Sequence, residues 1–553
     1  MTQHAATGSR VWHRYYDPGV TAEFVPDDIT WTDMMTRGFD HFGPNLFMEY
    51  YGETYTYDQT RARAAELASA LRAQGIGPGD RVALHLPNCP WHPLFFFAVL
   101  SLGAAVTHLS PLDADHEIAH KLTDSGARMV VTLTTPELAD HYPALMAQGR
   151  VPQMVQCPDP ISAAGRDCPL LPGAMSVADL LAGHQGAAWD PAPVTPDDMA
   201  LLQYTGGTTG MPKAAVLTHR SLSAAVQMYV EMSKQEPAME PGHGALIYAP
   251  MFHIMGLVAG MMKRFAEGGP VHLRQRFDPA QAVDEIEQHK IAIFGGVPTV
   301  WIGMLRVPDI AQRDLSSLMI VSSGGAPLPV DTYNQVRDLT GLGMRGGWGM
   351  TETAPAGTQV PRDMPDSKLG TIGIPMPGSD MKVVDPEDPT RTLAVGETGE
   401  IAFIGPNLFA GYWNRPEATA ETMQDGWLLT GDIGYMDEDG FFYLVDRKKD
   451  LILSGGFNVY PQMIENAVHQ HPDVSEAIAI GVPDDYRGES AKVFVVRNAG
   501  APEFTLDALQ EFLSTRLGRH EIPRALEFRD TLPHTPVGKA DRKALRAEEQ
   551  ARA

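Results

Sequence analysis

The chain is poor in cysteine, with only Cys89, Cys157 and Cys168 among 553 residues and no CxxC pair. A disulfide framework is excluded, and a reducing compartment fits. It is also short of cations. Forty-three Lys and Arg stand against 68 Asp and Glu, a formal net charge of −25 at pH 7, and such a field repels phosphate backbones and anionic lipid surfaces. No nucleic-acid partner is expected. A small anionic ligand remains open, because a few aimed backbone N–H groups and one or two Lys override the global field locally. Long hydrophobic runs are missing too. The longest, Leu94 to Val106, falls short of the roughly 20 residues that span a bilayer, and Met1 to Tyr16 carries no apolar h-region. The expectation is a soluble, cytoplasmic protein with no integral membrane segment. What is present is ordinary globular usage, 44% apolar and 20% charged, in a chain roughly three or four times the usual domain size.

From about Tyr55, short β-rich runs alternate with amphipathic stretches: a helix over Asp58–Gln74 before the strand Arg81–Leu86, the strand Met129–Leu133, and the helix Ala280–His289 before Ile291–Phe294. This alternation predicts an α/β architecture with largely parallel sheets. Beyond Asp446-Arg-Lys-Lys-Asp450 the texture changes to a helix near Pro461–Gln470, strands Val474–Ile480 and Ala491–Val496, a helix Leu506–Leu517 and a strand Arg524–Phe528. That reads as a small α+β domain, giving domains over 1–446 and 447–553.

The first sharp motif is Leu201-Leu-Gln-Tyr-Thr-Gly-Gly-Thr-Thr-Gly-Met-Pro-Lys213. Glycines let backbone N–H groups turn inward, Thr hydroxyls add donors and Lys213 adds a point charge, a set suited to a polyphosphate. It is not a Walker A loop, which needs Lys directly after Gly and then Ser or Thr; here Met211 and Pro212 intervene and Ala214 follows. Ser323-Gly-Gly-Ala-Pro-Leu328 is built of small residues that let a backbone approach a base, and Gly347-Trp-Gly-Met-Thr-Glu352 offers the flat face of Trp348. Further on stand Trp427-Leu-Leu-Thr-Gly-Asp432, Asp446-Arg447 and Thr535-Pro-Val-Gly-Lys-Ala540.

In this order, over roughly residues 30 to 545, these segments resemble the adenylate-forming superfamily of acyl-CoA synthetases, nonribosomal-peptide adenylation domains and firefly-type luciferases. Ala214 departs from the family's final Gly. The resemblance implies a large N-terminal domain of stacked sheets with flanking helices and a small mobile C-terminal α+β domain. It implies pyrophosphate binding by Thr205, Gly206, Gly207, Thr208, Thr209, Gly210 and Lys213, and adenine binding by Gly324, Gly325, Ala326 and Pro327 with Gly347, Trp348, Gly349 and Met350. Thr351 and Glu352 are implied beside the ATP phosphates, Glu352 as the Mg²⁺ ligand, and Asp432 with Arg447 on the ribose. Lys539 is implied to bridge the substrate carboxylate and the α-phosphate after domain closure. Lys449 matches the hinge, where a few residues absorb a large φ/ψ change, and Gly455, Gly456 and Phe457 the CoA-facing loop. There the family usually has Glu where this chain has Met463.

His253, in Pro250-Met-Phe-His-Ile-Met-Gly256, matches the residue beside the acyl pocket, and Met255, Met261 and Met350 suggest an apolar, adaptable pocket. The expected reaction is ATP-dependent ligation of a carboxylic acid, medium- or long-chain aliphatic by first choice, to CoA with release of AMP and pyrophosphate. Alternatives are a dicarboxylic or aryl acid, an amine or carrier protein in place of CoA, and a luciferase-like oxygenase. The chain is expected as monomer or homodimer. His116-Glu-Ile-Ala-His120 is a literal HExxH, which on a helix holds zinc. No third ligand stands at an established spacing, so a zinc peptidase through His116 and His120 is the remote alternative, and an outward-facing polar helix is expected instead. Gly341-Leu-Gly-Met-Arg-Gly346 follows a helical pattern, the reverse of the order a dinucleotide fold requires.

Overall fold

A computed structural model describes residues 10–159, 169–205, 212–234, 236, 240–325, 328–454, 457–484, 487–535 and 540–552, with the side chains of Phe457 and Asn458 excepted. The chain divides into two compact units, one of residues 1–380 with 404–426, the other of 381–403 with 427–553. The segment Asp446–Asp450 lies within the second unit.

The first unit holds two seven-stranded sheets. One runs in the order Arg345–Gly347, Ile320–Gly324, Ile293–Gly296, Ala245–Ile247, Val271–Leu273, Leu46–Tyr50, Glu53–Thr56. The other runs Met175–Ser176, Gln153–Cys157, Met129–Leu133, Arg81–His85, Ala105–His108, Met199–Thr205, Lys213–Thr218. Each is parallel except for one terminal antiparallel pair, as the β/α alternation predicts. Thr56 and Thr218 cap the helices Tyr57–Ala73 and His219–Ser233, each accepting from the backbone N–H three residues on. The long apolar run resolves into the helix Trp91–Ser101 and the strand Ala105–His108. That helix is apolar on every side because it is covered on every side: it packs on Arg81–His85 and Ala105–His108 and, through Phe97, on Phe47 of the other sheet. The sheets are therefore stacked about a helical layer.

In the second unit Gly399–Ile404, Trp427–Met436 and Phe442–Arg447 pair antiparallel. Phe457–Val459, Ile452–Ser454, Gly488–Arg497 and Val474–Asp484 form a further sheet, with Ala525–Phe528 added in parallel. The helices Pro461–Val468 and Leu506–Leu513 contribute Ile464, Val468, Leu509 and Leu513 to its core. The α+β texture is as expected.

The HExxH decoy sits on the helix Asp115–Ser125, where Glu117 accepts from the Ala114 N–H, His116 is exposed and His120 Nε2 lies 3.2 Å from the Pro212 carbonyl. Among the described residues, the trio whose ligand atoms lie within 4.8 Å of one another is Glu49, His272 and His289. Arg274 already meets Glu49 there at 2.8 Å. Gly341–Gly346 runs from the helix Val330–Thr340 into the strand Arg345–Gly347, as read.

Candidate active site

The strands Met199–Thr205 and Lys213–Thr218 form a hairpin whose last register pair is Thr205 and Lys213, and Thr205 Oγ1 donates to the Lys213 carbonyl at 3.3 Å. The loop residues Gly206, Gly207, Thr208, Thr209 and Gly210 lie outside the described residues. Lys213 places its ammonium 4.8 Å from the centroid of the Tyr412 ring. The Tyr412 hydroxyl donates to Glu352 Oε1 at 2.5 Å. Burial first, then the Glu352 charge, pushes the Tyr412 phenol well above its ordinary pKa, so it remains a protonated donor.

Glu352 is 4% exposed on the tight turn Thr351–Thr353, with Thr351 half-buried beside it. The turn is held from outside. The Phe409 N–H donates to the Glu352 carbonyl at 2.9 Å, and the Asn407 amide donates to the carbonyls of Thr353 and Ala356. The same segment is bonded to the hairpin through Ala410 N–H to Val216 at 2.9 Å and Trp413 N–H to Ala214 at 2.8 Å. Two motifs far apart in sequence are thus joined by Asn407–Trp413, which the motif reading passed over. Its signal is a run of Asn407, Phe409, Tyr412 and Trp413 around Gly411.

The two small-residue motifs meet edge to edge. Gly324 is the register partner of Gly347, and Gly325 has φ +79°. A Cβ on Gly347 would lie 2.1 Å from the Thr358 carbonyl oxygen, and one on Gly349 1.5 Å from that of Pro355. No other residue fits either place. Trp348 is 7% exposed, the six-membered side of its indole against Gly357. Ala326 and Pro327 lie outside the described residues.

His253 is half-buried on the loop leading into the π-helix Met255–Met262, a form concentrated at functional sites. A Cβ on Gly256 would stand 2.3 Å from the Pro250 carbonyl oxygen, and Met255 Sδ lies 3.5 Å from where a Cβ on Gly324 would be. The His253–Gly256 segment and the strand ending at Gly324 are therefore neighbours, and Met350 precedes Thr351 and Glu352 in the chain. Gln203 links this loop to the sheet, donating to the Phe252 carbonyl at 2.9 Å while its Oε1 lies 2.9 Å from His108 Nδ1. His92 packs 4.9 Å from His108, ring to ring. Burial pushes His108 down to about 4 and His92 well below its ordinary value, so both are neutral and add no cation for a second substrate carboxylate.

In the second unit Asp432 is 2% exposed in the strand Trp427–Met436, and its Oδ1 meets Arg447 Nε at 2.6 Å across the register. A solvated turn is excluded. Burial pushes the Asp446 carboxyl up, although it accepts from the backbones of Arg447 and Gln462, each at 2.7 Å. Lys449 is exposed in the turn Lys448–Asp450. Met463 is 40% exposed, and the polar anchoring falls to Glu465. Glu465 meets Arg542 at 2.6 Å and is pushed up to about 7 by burial, with Arg542 opposing. Gly455 and Gly456 lie outside the described residues; the strands beside them pair Ser454 with Phe457. Lys539 lies outside the described residues too. Arg542 and Arg546 are not a solvated helix face, since Arg546 meets buried Asp450 at 2.9 Å.

The arrangement in the first unit brings together a cation, a buried carboxylate and a close-approach backbone. The family described as AMP-binding enzyme matches residues 41–413, and the AMP-binding enzyme C-terminal domain matches residues 463–539. A long-chain-fatty-acid–CoA ligase of Bacillus subtilis is 35% identical over 97% of this chain and 98% of its own. A feruloyl-CoA synthase of an Amycolatopsis species is 38% identical over 88% of this chain and 92% of its own. The ATP-bound structure of MatB from Rhodopseudomonas palustris matches with TM-score 0.84 and 29% identity, covering 94% of this chain and 99% of that one.

Proposed function

We propose, from the premise that this chain belongs to the AMP-binding enzyme family, that it ligates a carboxylic acid to coenzyme A using ATP. The acid's carboxylate oxygen attacks the α-phosphorus and pyrophosphate leaves, giving an acyl-adenylate. The CoA thiol, losing its proton, then attacks the acyl carbon and AMP leaves. The observation that carries this reading is that Lys213 and Glu352, from two motifs far apart in sequence, both contact Tyr412, the one over its ring and the other at its hydroxyl.

Thr205 to Lys213 hold the pyrophosphate end, Gly324 to Pro327 and Gly347 to Met350 the adenine, and Asp432 with Arg447 the ribose. Glu352 and the Thr351 hydroxyl are hard oxygen donors, a set that suits Mg²⁺, and Glu352 is buried with its carboxyl oriented by a hydroxyl. Magnesium there supplies charge compensation for the phosphates. Lys539 stabilises the charge that develops as the carboxylate attacks, Gly455, Gly456 and Phe457 serve the thioester step, and Lys449 is the hinge between these uses. A reducing, cytoplasmic setting suits a chain with three cysteines and no CxxC pair.

The acid is a medium- or long-chain fatty acid by first choice, supported by Met255, Met261 and Met350. An aryl acid bearing a hydroxyl is the second reading, supported by the feruloyl relative and by the buried, neutral His92 and His108 adjoining the His253 loop. Pyrophosphate release screened over fatty acids of graded length, ferulate, benzoate and adipate chooses between them. Product analysis with and without CoA removes an amine or carrier acceptor. For the mechanism, Lys539→Ala lowers acyl-adenylate formation by about 10²–10³-fold or more while thioester formation from supplied acyl-adenylate is largely kept. Equal loss in both half-reactions defeats the assignment.

A further inference from the structure

Tyr412 belongs to none of the motifs that nominate a nucleotide site, yet it touches the charged groups of two of them. Its hydroxyl donates to Glu352 Oε1 at 2.5 Å, and its ring lies under the Lys213 ammonium at 4.8 Å. Its own placement is over-determined. Ala215 bridges to Tyr412, the Val216 N–H donates to the Gly411 carbonyl at 2.9 Å, and Tyr412 N–H donates to Thr419 Oγ1 at 2.8 Å. Phe409 packs edge-on, ring centroids 5.0 Å apart.

We propose that Tyr412 is a positioning residue for the metal-bound nucleotide: its hydroxyl sets the plane of the Glu352 carboxyl for Mg²⁺ while its ring keeps Lys213 apart from that carboxylate and aimed at the phosphates. A direct ion pair between Lys213 and Glu352 would neutralise both groups before any ligand arrived. An aromatic face attracts the ammonium without taking its charge, and a phenol fixes a carboxylate without neutralising it. One side chain therefore spaces the cation meant for phosphate from the anion meant for metal. The inference rests on the ligase reading above, since it needs a metal nucleotide at this place.

The test follows ATP binding by calorimetry with no acid or CoA present, first in EDTA and then at graded Mg²⁺. Tyr412→Phe keeps the ring and removes the hydroxyl. It is expected to leave ATP binding in EDTA within about twofold of wild type and to raise the Mg²⁺ needed for tight binding about tenfold. Tyr412→Leu removes both and is expected to weaken binding in EDTA about threefold besides. Glu352→Asp withdraws the carboxylate from an intact Tyr412 and should reproduce the Mg²⁺ shift, which covers a Tyr412→Phe protein that fails to fold. A thermal double-mutant cycle of Tyr412→Phe with Glu352→Ala reads the contact without any ligand, and non-additive melting supports it. An unchanged Mg²⁺ requirement in Tyr412→Phe overturns the proposal, whatever the melting shows. Wild-type protein whose ATP binding is indifferent to Mg²⁺ overturns it as well, and marks the ligase reading as the step that failed.

Discussion

Buried carboxylates occur in both units, and most meet a cation directly, as Glu49 meets Arg274 at 2.8 Å in the first; Glu352 is set against them by the phenol it accepts from. In the first, Glu352 is 4% exposed and accepts from the Tyr412 phenol, whose ring carries the Lys213 ammonium 4.8 Å from its centroid. In the second, Glu465, Asp450 and Asp432 meet guanidinium groups directly, at 2.6, 2.9 and 2.6 Å. A carboxylate paired directly with a guanidinium holds two segments together through opposite charge, whereas the phenol contact holds Glu352 without one. The Glu465, Arg542, Asp450 and Arg546 network is the architectural case, and Glu352 the candidate for ligand binding under the proposal above.

The largest effect is expected where the architecture is cut. Arg542→Ala leaves Glu465 buried without its partner, and such an uncompensated buried charge costs about 3–5 kcal/mol. Calorimetric melting should show that loss, and a cost below about 1 kcal/mol breaks the comparison on the side of the second unit. Next comes Glu352→Gln, which still accepts from Tyr412 but carries no charge. Pyrophosphate release should fall by about 10²–10³-fold with melting almost unchanged. A stability loss as large as that of Arg542→Ala would put Glu352 with the architectural carboxylates instead.

The smallest effect sharpens the comparison by pH. Glu465 titrates at about 7 in the folded chain against 4.5 unfolded, so between those values the folded state holds the extra proton. Stability contributed by the protonated form is present below about pH 4.5 and is lost as pH rises toward 7, roughly 3 kcal/mol in all. Glu465→Gln should flatten that slope in melting temperature against pH. A slope equal in wild type and variant assigns the pH dependence elsewhere.

Most element positions were legible from periodicity. The helix read as Asp58–Gln74 is Tyr57–Ala73, the strand Met129–Leu133 stands as read, and Pro461–Gln470 ends two residues early at Val468. These follow from local pattern, because a 3.6-residue or 2-residue repeat is written in neighbouring residues. The π-helix Met255–Met262 was not legible, since an i to i+5 ladder has no composition of its own. Tyr412 and Asn407 were missed because their partners, Glu352 and the carbonyls of Thr353 and Ala356, are named only by folding. Asp432 was legible within its motif, but its strand pairing with Arg447 and its burial came only with the fold.

By itself the sequence determined the alternation that builds parallel sheets, the glycines where no Cβ fits, and the ordered motifs that mark a nucleotide enzyme, all of them properties carried by short stretches of chain. Only the tertiary structure decided which charges face each other, since burial and pairing depend on segments hundreds of residues apart. A carboxylate accepts from a phenol beside Tyr412 and meets a guanidinium beside Arg542, and that choice is made by the neighbour the fold delivers.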